Sequence, residues 1–359
     1  MSRVPTLPVR RDSNDSERDF FDIPDEAILP FVRRQLRRKR TFLYLGLLWF
    51  FLKWLFKTPE PDMGLPHIDF NKVDWSRYAY TQYATSETYL CNSIMVFDSL
   101  ERLGSRAERI LFHPLEWDLI VQDEGDRISQ LLLMAKDKYR VELRPIAIEG
   151  IRVEPEGGPS AKASWDTSVA KLAAFGVVQY ERVIHLDNDL TVLQNMDELF
   201  FLPETTIAMP YTALREDGSA VASGQVGNLK ENRFDMEILN GRYGDVAMVL
   251  PHKQYGLITG EFRKKDHRYY LGEDAEWNPD KVLAEAKLVH FSDWPLPKPW
   301  VMWPQKQLAE LQPQCDKNPG TPQESGCRDR EVWKELYDDF RRRRKDICKL
   351  LSYPAPVQA

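Results

Sequence analysis

From Tyr78 onward the hydrophobic period of the chain switches repeatedly between two and 3.6, and few folds accommodate that alternation. YAYTQYAT (78–85) reads as a strand. Residues 89–103 then carry Leu90, Ile94, Val96, Phe97 and Leu100 in a helical stripe. ERILFH (108–113) is a second strand, 126–139 with its LLLMA run a second helix, and 141–148 a third strand. Residues 167–176 read as a helix again and 182–186 as a fourth strand. Strand and helix in turn give an α/β fold, a Rossmann-like and mostly parallel sheet with helices on both faces. Ligands of such sheets sit beyond the carboxyl ends of the strands, so the chemistry is expected directly after one. Neither a GxxxxGK[ST] loop nor a GxGxxG fingerprint is present, which removes support from ATPase and dinucleotide readings.

The fourth strand, Arg182-Val183-Ile184-His185-Leu186, runs directly into Asp187-Asn188-Asp189. If the strand continues through the motif, its period of two sends both aspartates to one face. Carboxylates so placed repel each other unless a cation or a proton lies between them. A hard divalent ion, Mn2+ or Mg2+, suits their oxygens and could neutralise charge on a departing diphosphate. Most D-x-D matches are solvated turns, and the position at the end of an apolar strand singles this one out. His290 follows the apolar Leu288-Val289 and can offer a neutral imidazole nitrogen to the same ion, the alternative being a structural histidine. Lys298, between Pro297 and Pro299, is a point-charge partner for a phosphate or else a solvated loop lysine. Trp294, Trp300 and Trp303 either stack on a sugar or base or pack inside the domain.

These residues also carry a resemblance. HLDNDLTVLQNMDELFFLP (185–203) resembles the metal-binding segment of the family 8 glycosyltransferases, the glycogenin-like group with a GT-A fold. LVHFSDWPLPKPW (288–300) resembles the HFxGxxKPW element of that family, YATSETY (83–89) looks like its first strand and turn, and Lys171-Leu172 is similar to its Lys-Leu pair. The wording is most similar to the fungal N-acetylglucosaminyltransferase subgroup, and the resemblance covers about residues 78–305. It implies Asp187, Asp189 and His290 as ligands of Mn2+ or Mg2+. It implies Thr85 and Tyr89 at the uracil ring, with Lys171, Asn188 and Lys298 also on the donor. The implied activity moves a sugar, GlcNAc first, from a UDP-sugar to a glycan or glycoprotein acceptor with retention of configuration. No acceptor-side base is assigned. The chain departs from the family in three places. His290 and Lys298 are eight residues apart where the family has six. Asn240-Gly241-Arg242-Tyr243-Gly244-Asp245 replaces its Asn-x-Gly element, and Gly272-Glu273-Asp274-Ala275-Glu276-Trp277 replaces its Asp-Gln segment. Two other readings follow: a transferase of glucose or galactose, and a membrane-tethered glycan-binding protein with a decayed site.

Residues 41–56, TFLYLGLLWFFLKWLF, are almost wholly apolar and follow RRQLRRKR. As a helix they span about 24 Å, somewhat short of a hydrocarbon core of roughly 30 Å. Snorkelling of Lys53 and the thinner membranes of the early secretory pathway ease that mismatch. The basic flank stays cytosolic, which gives a single-pass type II anchor in the Golgi or ER membrane and a luminal body. The alternative is an interfacial or buried core helix. The expected organisation is a cytoplasmic tail (1–40), the anchor (41–56), a proline-rich stem (57–77), the catalytic domain (78–310) and a C-terminal tail (311–359). In that tail EVWKELYDDFRRRRKDICKLL reads as an amphipathic helix packed on the domain, with 341–345 as its solvated face. Cys91, Cys315, Cys327 and Cys348 lack metal-ligand spacing. In an oxidising lumen one bridge is expected in the tail, Cys315 to Cys327 or Cys327 to Cys348. The net charge of −6 offers nucleic acid no attraction.

Overall fold

A computed structural model describes residues 68–147, 168–210, 235–271, 276–292, 298–317, 324–349 and 353–354. The expected cytoplasmic tail, the apolar 41–56 segment, most of the stem and Trp294 lie outside the described residues. Among the described residues no helix is long and apolar enough to cross a membrane.

Four strands, β1 (Tyr78–Tyr83), β2 (Glu108–Pro114), β3 (Val141–Ile146) and β4 (Arg182–His185), form a wholly parallel sheet in the order β3-β2-β1-β4. Helix α1 (Glu87–Arg102) links β1 to β2, and α2 (Arg127–Tyr139) links β2 to β3. The fold is α/β, as the alternating periods predict. Residues 78–82 of β1 are all buried, because a central parallel strand is covered on both sides. Its period of two divides them: Tyr78 and Tyr80 join the larger core with α1 and α2, while Ala79 joins a smaller one with Ile110, Phe112, Ala174 and Val177. The cover of that second face differs from the expected α-helix. Ser168–Gly176 is a 3-10 helix, tighter than the α-helix read from its apolar residues.

The strand expected over 78–85 stops at Tyr83, because Ser86 caps the next helix by accepting a hydrogen bond from the Tyr89 amide. Inside α1, Leu90, Ile94 and Phe97 are fully buried, each contributing roughly 1.5–3 kcal/mol. Gly104 (φ +74) then turns the chain into β2 in a conformation that costs a side-chain-bearing residue energy. Asp126 caps α2 through the Ser129 amide.

A second sheet abuts the first, formed by β5 (Leu190–Val192), β6 (Leu257–Ile258) and β7 (Leu288–His290) in the order β5-β7-β6. Leu190 lies opposite His290 in the antiparallel pair, and Ile258 opposite His290 in the parallel one. This corrects the idea that one strand runs through the acidic motif. β4 pairs with β1 and ends at His185; β5 pairs with β7; Asp187-Asn188-Asp189 is the link between the two sheets.

The C-terminal helix, α3 (Arg328–Cys348), buries Trp333, Leu336, Tyr337 and Phe340 against the domain, as its stripe predicts. Two expectations about the tail need correction. Cys315 does pair with Cys327, but a second disulfide ties Cys348 to Cys91 in α1, across 257 residues of sequence. The 341–345 run is not simply a solvated face: Arg344 is 2% exposed, because its guanidinium hydrogen-bonds into α1.

Candidate active site

The inter-sheet link is fixed by backbone and amide hydrogen bonds before any charge enters. The Leu186 amide donates to the Thr81 carbonyl (3.2 Å), and the Phe291 amide to the Asp189 carbonyl (2.9 Å). Gln82 Nε2 donates to the Leu186 carbonyl (2.7 Å). Asn188 Nδ2 donates to the Tyr83 carbonyl (2.8 Å), and Asn188 is 4% exposed. Asn188, expected on the donor, is therefore turned to the end of β1 and pins the link there. With both ends held, the link aims the two aspartate side chains to one place.

One ligand atom each of Asp187, Asp189 and His290 lies within 4.8 Å of the others. His290 Nε2 is 3.0 Å from Asp189 Oδ1. Lys298 Nζ is 2.6 Å from Asp189 Oδ2 and 2.7 Å from the Phe291 carbonyl oxygen. Lys171 Nζ, from the 3-10 helix, is 2.9 Å from Asp187 Oδ1. Desolvation works against ionisation of Asp189, yet the facing His290 and Lys298 more than reverse this and hold its carboxyl well below the usual range. Asp187 follows the same pattern: desolvation and Asp189 push it up, Lys171 and His290 pull it down, and the net shift is downward. Desolvation disfavours the His290 imidazolium, but the Asp189 carboxylate outweighs it and raises the pKa above the ordinary value. The cluster thus holds two carboxylates charged at neutral pH, each facing a lysine ammonium. Carboxylate oxygens with one imidazole nitrogen form a donor set that accepts a hard or borderline divalent ion.

Thr85 is half-buried in the turn between β1 and α1. Tyr89 is half-buried in the first turn of α1, its ring edge-on to Trp300 at 5.8 Å between centroids. Trp300 is 3% exposed and belongs to the core, so it is no stacking platform. Sequence reasoning gave no role to Tyr83, whose ring stacks on His185 (5.9 Å) and whose phenol lies in the field of Lys171, Asp187 and Asp189. Desolvation pushes that phenol's pKa up, so it stays protonated. The last residue of a strand that enters a binding turn is the signal that would have found it.

No protein-family profile matches the chain. Glucose N-acetyltransferase 1 of Aspergillus fumigatus is 57% identical over 95% of this chain and 95% of its own length. Glucose N-acetyltransferase 1 of Gibberella zeae is 43% identical over 77% of this chain and 64% of its own. Among solved structures, the apo-form glycosyltransferase GlyE of Streptococcus pneumoniae overlays 79% of this chain and 66% of that one at 18% identity and a TM-score of 0.42, too slight an overlap to define a fold. Similarity to the Aspergillus protein along nearly the whole of both chains settles kinship: this chain is an enzyme, a glycosyltransferase, and it belongs to the glucose N-acetyltransferase 1 family.

Proposed function

We propose that the protein is a divalent-metal-dependent transferase of GT-A type that moves GlcNAc from UDP-GlcNAc to a glycan or glycoprotein acceptor. The observation that carries the reading is the meeting of Asp187, Asp189 and His290 within 4.8 Å, with Lys171 and Lys298 at the aspartates. Asp187, Asp189 and His290 would hold Mn2+, or Mg2+, which supplies a Lewis acid for charge on the departing diphosphate. The charge balance supports a metal and a nucleotide entering together. Two aspartates and two lysines cancel, a divalent cation would leave the site doubly positive, and the doubly charged diphosphate of a UDP-sugar restores neutrality. Lys171 and Lys298 then have a phosphate to meet in place of a carboxylate. Tyr83, whose phenol lies in the field of Lys171, Asp187 and Asp189, is assigned to the donor together with Thr85 and Tyr89 of the turn and helix that follow it.

The setting is the lumen of the Golgi or ER, with residues 41–56 as the anchor. Two disulfides support an oxidising compartment, and the apolar segment after a basic flank supports the orientation. A donor screen tests the reading: UDP release from UDP-GlcNAc, UDP-glucose and UDP-galactose, with Mn2+ present. UDP-GlcNAc is expected to give the highest kcat/KM. A preference for UDP-glucose or UDP-galactose would reassign the sugar, and release from none of them would leave only a glycan-binding role.

A further inference from the structure

Helix α3 meets the candidate site from behind at two separate points. Arg341 Nε donates to the Pro299 carbonyl (3.0 Å), one residue beyond Lys298. The Arg341 guanidinium also lies over the Tyr337 ring (5.6 Å) and pairs with Asp338 (3.2 Å). Three residues on and on the same helix face, Arg344 Nη1 donates to the Thr88 carbonyl (3.3 Å) and to Asn92 Oδ1 (2.7 Å). Thr88 directly precedes Tyr89. Phe340, fully buried just before Arg341, packs on Phe291 (5.0 Å) and Trp300 (5.8 Å), and Trp300 in turn meets Tyr89. Cys348, four residues past Arg344, is bonded to Cys91 of α1.

The geometry points to Arg341 and Arg344 as positioning residues of the proposed transferase, which fix the spacing between the 85–89 turn and Lys298. The inference rests on the reading above, in which those two elements touch opposite ends of the donor. Its physical basis is the choice of acceptors. Both arginines reach backbone carbonyls adjacent to Lys298 and Tyr89 from a single helix, Arg341 in addition to its pairing with Asp338. That helix is also tied to α1 by the Cys91–Cys348 disulfide, so the turn and the lysine loop share one support. The Arg341 bond anchors the backbone one residue after Lys298.

The test uses the full-length chain with UDP-GlcNAc and Mn2+, comparing wild type with Arg341→Met, Arg341→Lys and Arg344→Met. Losing one charge-assisted hydrogen bond is expected to raise the KM for UDP-GlcNAc and the Kd for UDP about five- to tenfold. In the same variants kcat is expected to stay within about twofold of wild type. Arg341→Lys keeps a donor and is expected to recover part of the loss. A helix that only stabilises the fold would lower kcat with the folded fraction and leave KM untouched; that pattern in both methionine variants overturns the proposal. If wild type itself releases no UDP, the reading of function fails and takes this inference with it. An active wild type with unchanged variant KM removes the positioning role alone.

Discussion

Asp189 is the residue on which the site turns, since it alone faces both His290 and Lys298. Lys298 therefore competes with any metal for one carboxylate oxygen while serving as a phosphate partner, and its removal should act in opposite directions. Lys298→Met is expected to bind Mn2+ about tenfold tighter without nucleotide and UDP about tenfold weaker with Mn2+. Isothermal titration reads both, and loss of both affinities would contradict the dual role. Away from the site, Arg109 is 3% exposed and ends on Glu101 Oε2 at 2.5 Å. The hydrogen bond from Arg109 holds the Glu101 carboxyl below its ordinary value of 4.5. A depressed carboxyl stabilises the fold above its unfolded pKa, and that stability is lost as pH falls through the lower folded one. Glu101→Gln is expected to cost about 1 kcal/mol at pH 7, at the small end because the carboxylate is half-exposed, and to flatten the acid limb below about pH 4.5. Urea unfolding at pH 7 and pH 3.5 measures it; an equal cost at both would contradict it. At this scale the aspartates were legible because residue type and their place after an apolar strand name them, and His290 because an imidazole follows the apolar Leu288-Val289. The turn of Asn188 toward Tyr83 was not, because its partner lies 105 residues away at the end of β1.

Among elements, the helices were the most legible. The stripes of α1, α2 and α3 are strong, and Ser86 and Asp126 stand at the capping positions their side chains suit. β4 and β5 read as one strand because they are only four and three residues long and separated by a short link, and a change of pairing partner leaves no local trace. The bridge between α1 and α3 was missed for a related reason. Proximity along the chain favoured partners inside the tail, whereas helix packing brings Cys91 and Cys348 to a Cα separation of 5.8 Å. Loop entropy distinguishes the two bridges. Cross-linking 257 residues of chain limits the unfolded state by about 5.5 kcal/mol, and the 12-residue loop of Cys315 and Cys327 by about 3. Cys91→Ser is therefore expected to lower the urea midpoint more than Cys327→Ser. Equal midpoints would show that α3 holds to α1 by side-chain packing alone.

For the whole molecule, the parallel sheet followed from the alternation of periods, and the position of the acidic link followed from the rule that such sheets bind ligands at their carboxyl ends. The meeting of two sheets at that link had no signature in the sequence, since residues 257–258 and 288–290 are too short to register as strands by period. Pairing of all four cysteines bears on where the chain works. Thiols trapped with a maleimide–polymer in intact cells are expected to give no mass shift before reduction and four additions after it. A shift before reduction would place the chain in a reducing compartment and remove the luminal setting. The most direct test of the metal-dependent transfer is UDP release from UDP-GlcNAc by wild type and Asp189→Asn, with Mn2+ and with chelator. Release that requires Mn2+ in wild type and falls at least about a hundredfold in the variant is the expected result. Release that continues in chelator, or that survives in Asp189→Asn, would contradict a metal held by Asp187, Asp189 and His290.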